Sequence, residues 1–98
     1  MAMSSREERR EENQRRFRKA NEGLHDLVEG RLPDSQPVAF VCECADDECM
    51  GRVEVSLQEW EAVALNPNHF LMKAGHQRSK GEEVVGLLGE YEVARKPD

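Results

Sequence analysis

The sequence has little material for a large core or a cross-linked scaffold. Of its 98 residues, 38% are apolar and only 5% are aromatic, which suffices for one small domain but not for two. Many domains this short are supported by a metal or by disulfides. Only three cysteines are present, all between positions 42 and 49. This odd, clustered set excludes a framework of several disulfides.

Long apolar runs are also missing. No stretch approaches the roughly 20 apolar residues of a membrane-spanning helix. The N-terminal MAMSSREERR is charged almost at once and lacks the apolar segment of a secretory signal. We therefore expect no membrane partner and a cytoplasmic location, where thiols stay reduced. Clustered cysteines in that compartment more often bind a metal or carry out redox chemistry.

Charge is distributed unevenly along the chain. Residues 1–20 carry seven Lys or Arg against four Asp or Glu, a net +3, whereas residues 21–98 carry seven against sixteen, a net −9. The acidic body should repel polyanions, so only the N-terminal segment could attract one.

The N-terminal third predicts one long helix from Met3 to about Glu29, because it holds many good helix formers and no proline. Its first half has no apolar residue from position 6 to 16 and relies on pairs at helical spacing: Glu7–Arg10, Glu11–Arg15 and Glu12–Arg16. Its second half carries an apolar stripe that should dock on the core: Phe17, Ala20, Leu24, Leu27 and Val28. We therefore predict residues 1–16 as a charged, partly frayed helical arm and 17–98 as a single small domain.

The rest of the chain predicts five short strands and one short helix. The strands are expected at Val38–Cys44, Arg52–Leu57, Phe70–Lys73, Glu83–Leu88 and Tyr91–Arg95. The pattern Ser56-Leu57-Gln58-Glu59 is typical of a capping box that opens a helix through about Leu65. We predict an α+β fold: a long N-terminal helix plus a small, mainly antiparallel sheet with one short helix, stabilised by zinc.

Cys42, Cys44 and Cys49 predict a metal site. Side chains two residues apart on a strand face the same side, and four residues are enough to fold back and return Cys49. Gly51 would permit a positive φ in the turn. Three thiolates this close repel each other, and Zn²⁺ removes that repulsion.

A tetrahedral zinc site needs a fourth ligand, and His76 is the residue we favour. It follows the Phe70–Lys73 strand, and Gly75 lets the backbone turn there. The alternatives are His69, His25, an acidic residue of the cysteine loop, or water. Two readings without a metal also remain: three half-buried free cysteines, or a disulfide from Cys49 to Cys42 or Cys44. The neighbouring acids disfavour a reactive thiolate, because they raise thiol pKa values.

The run FVCECADDECMGRVEVSLQEWEAV, followed by NPNHFLMKAGH, resembles a group of small uncharacterised bacterial proteins, especially actinobacterial ones. Members have a charged N-terminal helix, a C-E-C-G-D-x-x-C-like core, a capped helix and a later G-H. The resemblance covers roughly residues 15–95 and implies that Cys42, Cys44, Cys49 and His76 occupy the motif positions. Ala45 stands where the group has glycine.

The expected function is a small zinc-binding module that acts through a protein partner, as a binding or regulatory unit, or self-associates through its N-terminal helix. The alternative is a nucleic-acid-binding regulator that uses the Arg-rich helix. We expect no enzyme and no small-molecule substrate, since no Ser–His–acid set, phosphate-cradling glycine loop or nucleotide fingerprint is found.

Overall fold

The computed structural model describes residues 5–97 and confirms the α+β fold, with the helices and strands in the expected order. The predicted helix start at Met3 lies outside the described residues. Neither helix in this range is long and apolar enough to cross a membrane. The elements are α1 Ser5–Val28, β1 Pro37–Val41, β2 Arg52–Ser56, α2 Leu57–Ala64, β3 His69–Lys73, β4 Glu83–Leu88 and β5 Tyr91–Arg95.

The strands form two small antiparallel sheets. One is the β1–β2 hairpin, in which Phe40 lies opposite Val53. The other has the order β3–β5–β4, with β5 in the centre. Apolar side chains of both sheets, including Leu71 and Met72 of β3, share one buried core.

The first strand is shorter than predicted because the chain changes partner after Val41. The N–H of Cys42 still donates to the carbonyl of Gly51 in the hairpin (3.1 Å), but the N–H of Glu43 donates to the carbonyl of Leu71 in β3 (2.9 Å). The segment from Cys42 to Cys44 therefore joins the two sheets and fixes their relative position.

Helix α2 begins with the predicted capping box. The Ser56 hydroxyl accepts from the N–H of Glu59 (3.1 Å), and the Glu59 carboxylate accepts from the N–H of Ser56 (2.9 Å). Trp60 and Val63 are buried on its inner face. The Trp60 ring stacks on Phe40 at a centroid distance of 5.2 Å, so the helix covers the β1–β2 sheet.

The docking face of α1 differs from the predicted apolar stripe. Leu24 and Val28 pack against the core and are half-buried, but Ala20 and Leu27 are exposed. The buried residues of the helix are all polar and recur at helical spacing: Glu7, Asn13, Gln14, Arg18 and Asn21. This helix is held by hydrogen bonds rather than by apolar burial alone, which a search for apolar periodicity does not detect.

The first half of α1 contributes to this polar face. The Gln14 amide accepts from the Ser79 hydroxyl (2.6 Å) and donates to Glu82 (3.0 Å), and Glu7 accepts from the N–H of Lys80 (2.6 Å). This part of the helix therefore buries polar side chains against the rest of the fold, although it carries no apolar residue. The division of the chain at residue 16 stays a prediction.

Asn21 attaches α1 to the free side of β1. Its amide oxygen accepts from the N–H of Val41 (2.8 Å), and its amide nitrogen donates to the carbonyl of Val41 (2.9 Å). The fully buried side chain thus makes the two bonds that a neighbouring strand would make.

Candidate metal centre

Four side chains meet where the two sheets join. Cys42 and Cys44 follow β1, Cys49 closes the next loop and His76 follows β3; their ligand atoms all lie within 4.8 Å of one another. The Nδ1 atom of His76 lies 3.5 Å from the sulfur of Cys42 and 3.6 Å from that of Cys49. In a tetrahedron with Zn–S near 2.3 Å and Zn–N near 2.0–2.1 Å, the S···N edge is about 3.6 Å. The observed spacing therefore fits a tetrahedral ion.

The cluster is closed toward the protein interior. Cys42 and Cys44 are fully buried, whereas Cys49 and His76 are half-buried. All three cysteines are free thiols. An ion would therefore reach the cluster from the Cys49 and His76 side.

Short backbone turns bring Cys49 and His76 to the site. The N–H of Cys49 donates to the carbonyl of Asp46 (3.1 Å), and that of His76 donates to the carbonyl of Lys73 (3.2 Å). Gly75 has a φ of 79°, as its place before His76 predicted, and a side chain there would be strained.

The prediction of a positive φ at Gly51 is wrong, since this residue is not among the glycines with that conformation. Its small size matters for another reason. A Cβ at this position would lie 3.3 Å from the sulfur of Cys49 and 3.4 Å from the side chain of Lys73. Glycine therefore leaves room for the Cys49 sulfur.

Backbone N–H groups point at two of the sulfurs. The N–H of Lys73 donates to Cys42 (3.3 Å), and the N–H of Gly51 donates to Cys49 (3.4 Å). Such bonds favour the thiolate, the form that binds a metal. The N–H of Ala45 also donates to the carbonyl of Gln77 (2.7 Å), which ties the cysteine segment to the loop that carries His76.

The pKa values of the three thiols are shifted in different directions when no ion is bound. A hydrogen bond between Cys44 and Cys42 raises the pKa of Cys44 well above its ordinary value and lowers the pKa of Cys42. Burial raises the pKa of Cys49. Cys42 is therefore the thiol of the three that loses its proton most readily, and a divalent cation would replace the protons of the set.

Glu43 has a role that sequence reasoning missed. Its carboxylate is fully buried and accepts five hydrogen bonds. Two come from the Arg18 guanidinium, at 3.1 and 3.2 Å. The other three come from the Asn21 amide (2.8 Å), the Trp60 indole N–H (3.3 Å) and the backbone N–H of Leu71 (2.9 Å). The same guanidinium donates to the carbonyl of His69. Every lone pair of the carboxylate is engaged, so this acid positions the backbone between the two buried cysteines. Sequence reasoning treated it as a neighbouring charge because no local pattern connects it to a helix 25 residues earlier.

The other two histidines lie outside this cluster. His69 opens β3 and pairs with Arg95. His25 hydrogen-bonds Glu61 on α2 (2.6 Å), which raises its pKa. It also forms a second close group with Glu29 and Glu61, but both carboxylates are exposed and already contact the imidazole. The contact with Glu61 connects α1 to α2.

Comparisons with known proteins do not extend this picture. No family model, no curated protein and no solved structure matches the chain. The resemblance to small bacterial proteins therefore stays a prediction, and functional inference depends on the geometry of the site.

Proposed function

We propose that the protein is a small zinc-binding module in which Cys42, Cys44, Cys49 and His76 hold one structural Zn²⁺ ion. The observation that supports it most strongly is the pair of S···N distances, 3.5 and 3.6 Å, which match the edge of a tetrahedral zinc site. Thiolate and imidazole ligands are also typical of zinc, whereas calcium and magnesium prefer oxygen ligands.

The ion would act as a structural clamp. Three thiolates and one imidazole form a saturated set that leaves no open position for a substrate, as in structural sites. The four ligands come from the end of the β1–β2 sheet, its loop and the turn after β3. A bound ion would therefore hold the two sheets together across their junction.

Such a module would work by presenting a surface to a protein partner rather than by catalysis. A closed metal set supports this role, as does the engagement of Glu43, the acid nearest the two buried cysteines, in hydrogen bonds within the fold. A carboxylate held in this way is not available as a general base.

Native mass spectrometry tests the zinc proposal. Chelator-free protein purified under reducing conditions should carry one zinc ion per chain. We expect Cys42→Ser to lose the ion and His76→Ala to bind it more weakly, whereas His69→Ala, a histidine outside the cluster, should retain it. Metal-free wild-type protein whose melting temperature does not change on addition of zinc would contradict the proposal.

A second candidate function is nucleic-acid binding through α1. Five exposed cations of this helix have no carboxylate partner within residues 5–97: Arg6, Arg9, Arg15, Arg16 and Lys19. Of the three predicted pairs only Glu7–Arg10 is formed (3.5 Å), and Glu11 contacts Lys96 instead (2.5 Å). Free cations of this kind can neutralise phosphates.

Fluorescence anisotropy with a 20-nucleotide single-stranded RNA and a 20-base-pair DNA tests this candidate. The affinity should fall steeply when the salt concentration is raised from about 50 mM to about 200 mM. The double variant Arg9→Glu, Arg15→Glu should not bind. Affinity that is unchanged in this double variant would exclude the helix as the binding surface.

A further inference from the structure

A groove of about 310 Å³ runs beside the metal loop, between α1 and the start of β2. Most of its lining is apolar, and α1 and β2 each contribute one cation. The apolar residues are Phe17, Ala20, Val41 and Met50, and the cations are Arg16 and Arg52.

The apolar part of this groove is open to solvent. Met50 is 89% exposed, and Phe17 and Val41 are only half-buried. Methionine is a flexible, polarizable side chain that is frequent on surfaces that bind varied peptides. An exposed methionine next to further apolar side chains therefore indicates a contact surface.

The groove also carries uncompensated positive charge. Arg16 and Arg52 are both exposed, and neither has a carboxylate partner in the part of the chain that the structure describes. The remainder of the protein is strongly acidic. A groove with two free guanidinium groups thus favours an occupant that supplies carboxylates around an apolar anchor.

We propose that this groove binds a peptide segment of a partner protein in which one apolar side chain is flanked by aspartate or glutamate. The apolar side chain would lie on Phe17, Val41 and Met50, and the carboxylates would pair with Arg16 and Arg52. Two cations beside an apolar surface suit a peptide better than a nucleic acid, whose binding depends on a row of phosphate contacts.

This inference rests on the proposed zinc-binding function. Cys49 is one of the four clustered ligands and also lines the groove, directly before Met50 and Gly51. A bound ion would fix Cys49 and hence the groove wall that follows it. Peptide affinity should therefore fall when zinc is removed.

Selection from a phage-displayed library of random 12-residue peptides tests the inference, with zinc-loaded wild-type protein as the target. Enriched peptides should share a leucine, isoleucine, phenylalanine or methionine within three residues of two or more acids. The most enriched peptide, labelled with fluorescein, should lose at least about tenfold in affinity with Met50→Asp. Arg52→Gln should weaken it several-fold, and added salt should weaken it further.

Leu65→Asp is the matched control. Leu65 is 86% exposed and lies at the end of α2, outside the groove, so the same apolar-to-acidic change there should leave the peptide affinity unchanged. Both substitutions are at exposed positions, and we expect little effect on stability.

Several outcomes would overturn the inference: no enriched peptide, enriched peptides without acids, or equal affinity for wild type and Met50→Asp. So would a wild-type dimer in sedimentation that Met50→Asp converts to a monomer, since the groove would then bind a second copy. Single-stranded RNA binding that is lost with Met50→Asp would assign the groove to nucleic acid. Native mass spectrometry of each variant distinguishes the zinc-site proposal from the peptide-groove proposal. A protein that retains zinc but binds no peptide refutes the groove proposal and leaves the zinc site unaffected.

Discussion

Replacing Arg18 by methionine should strongly destabilise the fold. The guanidinium makes two hydrogen bonds to the Glu43 carboxylate, at 3.1 and 3.2 Å, and Glu43 is fully buried while Arg18 is 7% exposed. Methionine keeps an apolar stem beside the Phe70 ring, over which the guanidinium lies at 5.0 Å. The substitution thus removes the positive charge with little change in packing.

The expected loss is about 3–5 kcal/mol of unfolding free energy, because it leaves a buried carboxylate without its counter-charge. The carboxylate still accepts from the neutral donors of Asn21, Trp60 and Leu71. We therefore expect a loss of unfolding free energy nearer about 3 than about 5 kcal/mol. Urea unfolding at a fixed, saturating zinc concentration measures it. A loss of 3–4 kcal/mol corresponds to a midpoint lower by roughly 2 M urea.

The second variant, Glu43→Gln in the Arg18→Met background, tests the reason for this loss. It removes the orphaned charge and keeps an acceptor oxygen, so the double variant should recover at least about 1 kcal/mol relative to Arg18→Met. The reasoning is refuted by a loss below about 1 kcal/mol for Arg18→Met, or by a double variant that is less stable than the single one.

Three further changes have defined outcomes. Ser56→Ala removes half of the capping box and should cost about 1 kcal/mol, or roughly 4–8 °C in melting temperature; no thermal shift would contradict the role of the cap. The His25–Glu61 contact raises the pKa of His25, so its stabilisation is full below about pH 6.5 and is lost as the pH rises through the folded-state pKa. The stability difference between wild type and His25→Gln should therefore shrink from pH 6 to pH 9, and a constant difference would exclude titration of this group. Gly51→Ala places a methyl group 3.3 Å from the Cys49 sulfur and should weaken zinc binding several-fold in a chelator competition. Gly23→Ala should not, because its methyl group meets nothing within 4 Å beyond the neighbouring backbone of its own helix.

Local sequence patterns were sufficient for the positions of most elements. The capping box at Ser56 predicts α2 because it depends on residues three apart in the chain. The terminal hairpin, Glu83–Leu88 and Tyr91–Arg95, has the predicted bounds because Gly89 marks its turn. The end of β1 was predicted three residues too late, since it depends on a bond from Glu43 to the distant Leu71.

The sequence was sufficient to predict which four side chains lie together in the candidate site, but not which groups surround and support them. Close spacing of three cysteines and a histidine after a glycine indicated which side chains meet. The polar docking face of α1 and the buried Arg18–Glu43 pair gave no such signal. From the sequence alone, Arg18 and Glu43 are each expected at the surface, because charged residues are mostly exposed. Only the fold shows that they form a buried ion pair.

The bonds between Asn21 and Val41 have a consequence for how the chain is made. An uncovered strand edge is a template for pairing with another chain and hence for aggregation. Because α1 precedes β1 and leaves the ribosome first, the side chain that blocks this edge is present before the edge forms. A chain that lacks α1 should therefore precipitate during expression, even with zinc in excess, as its hairpin pairs with those of other copies.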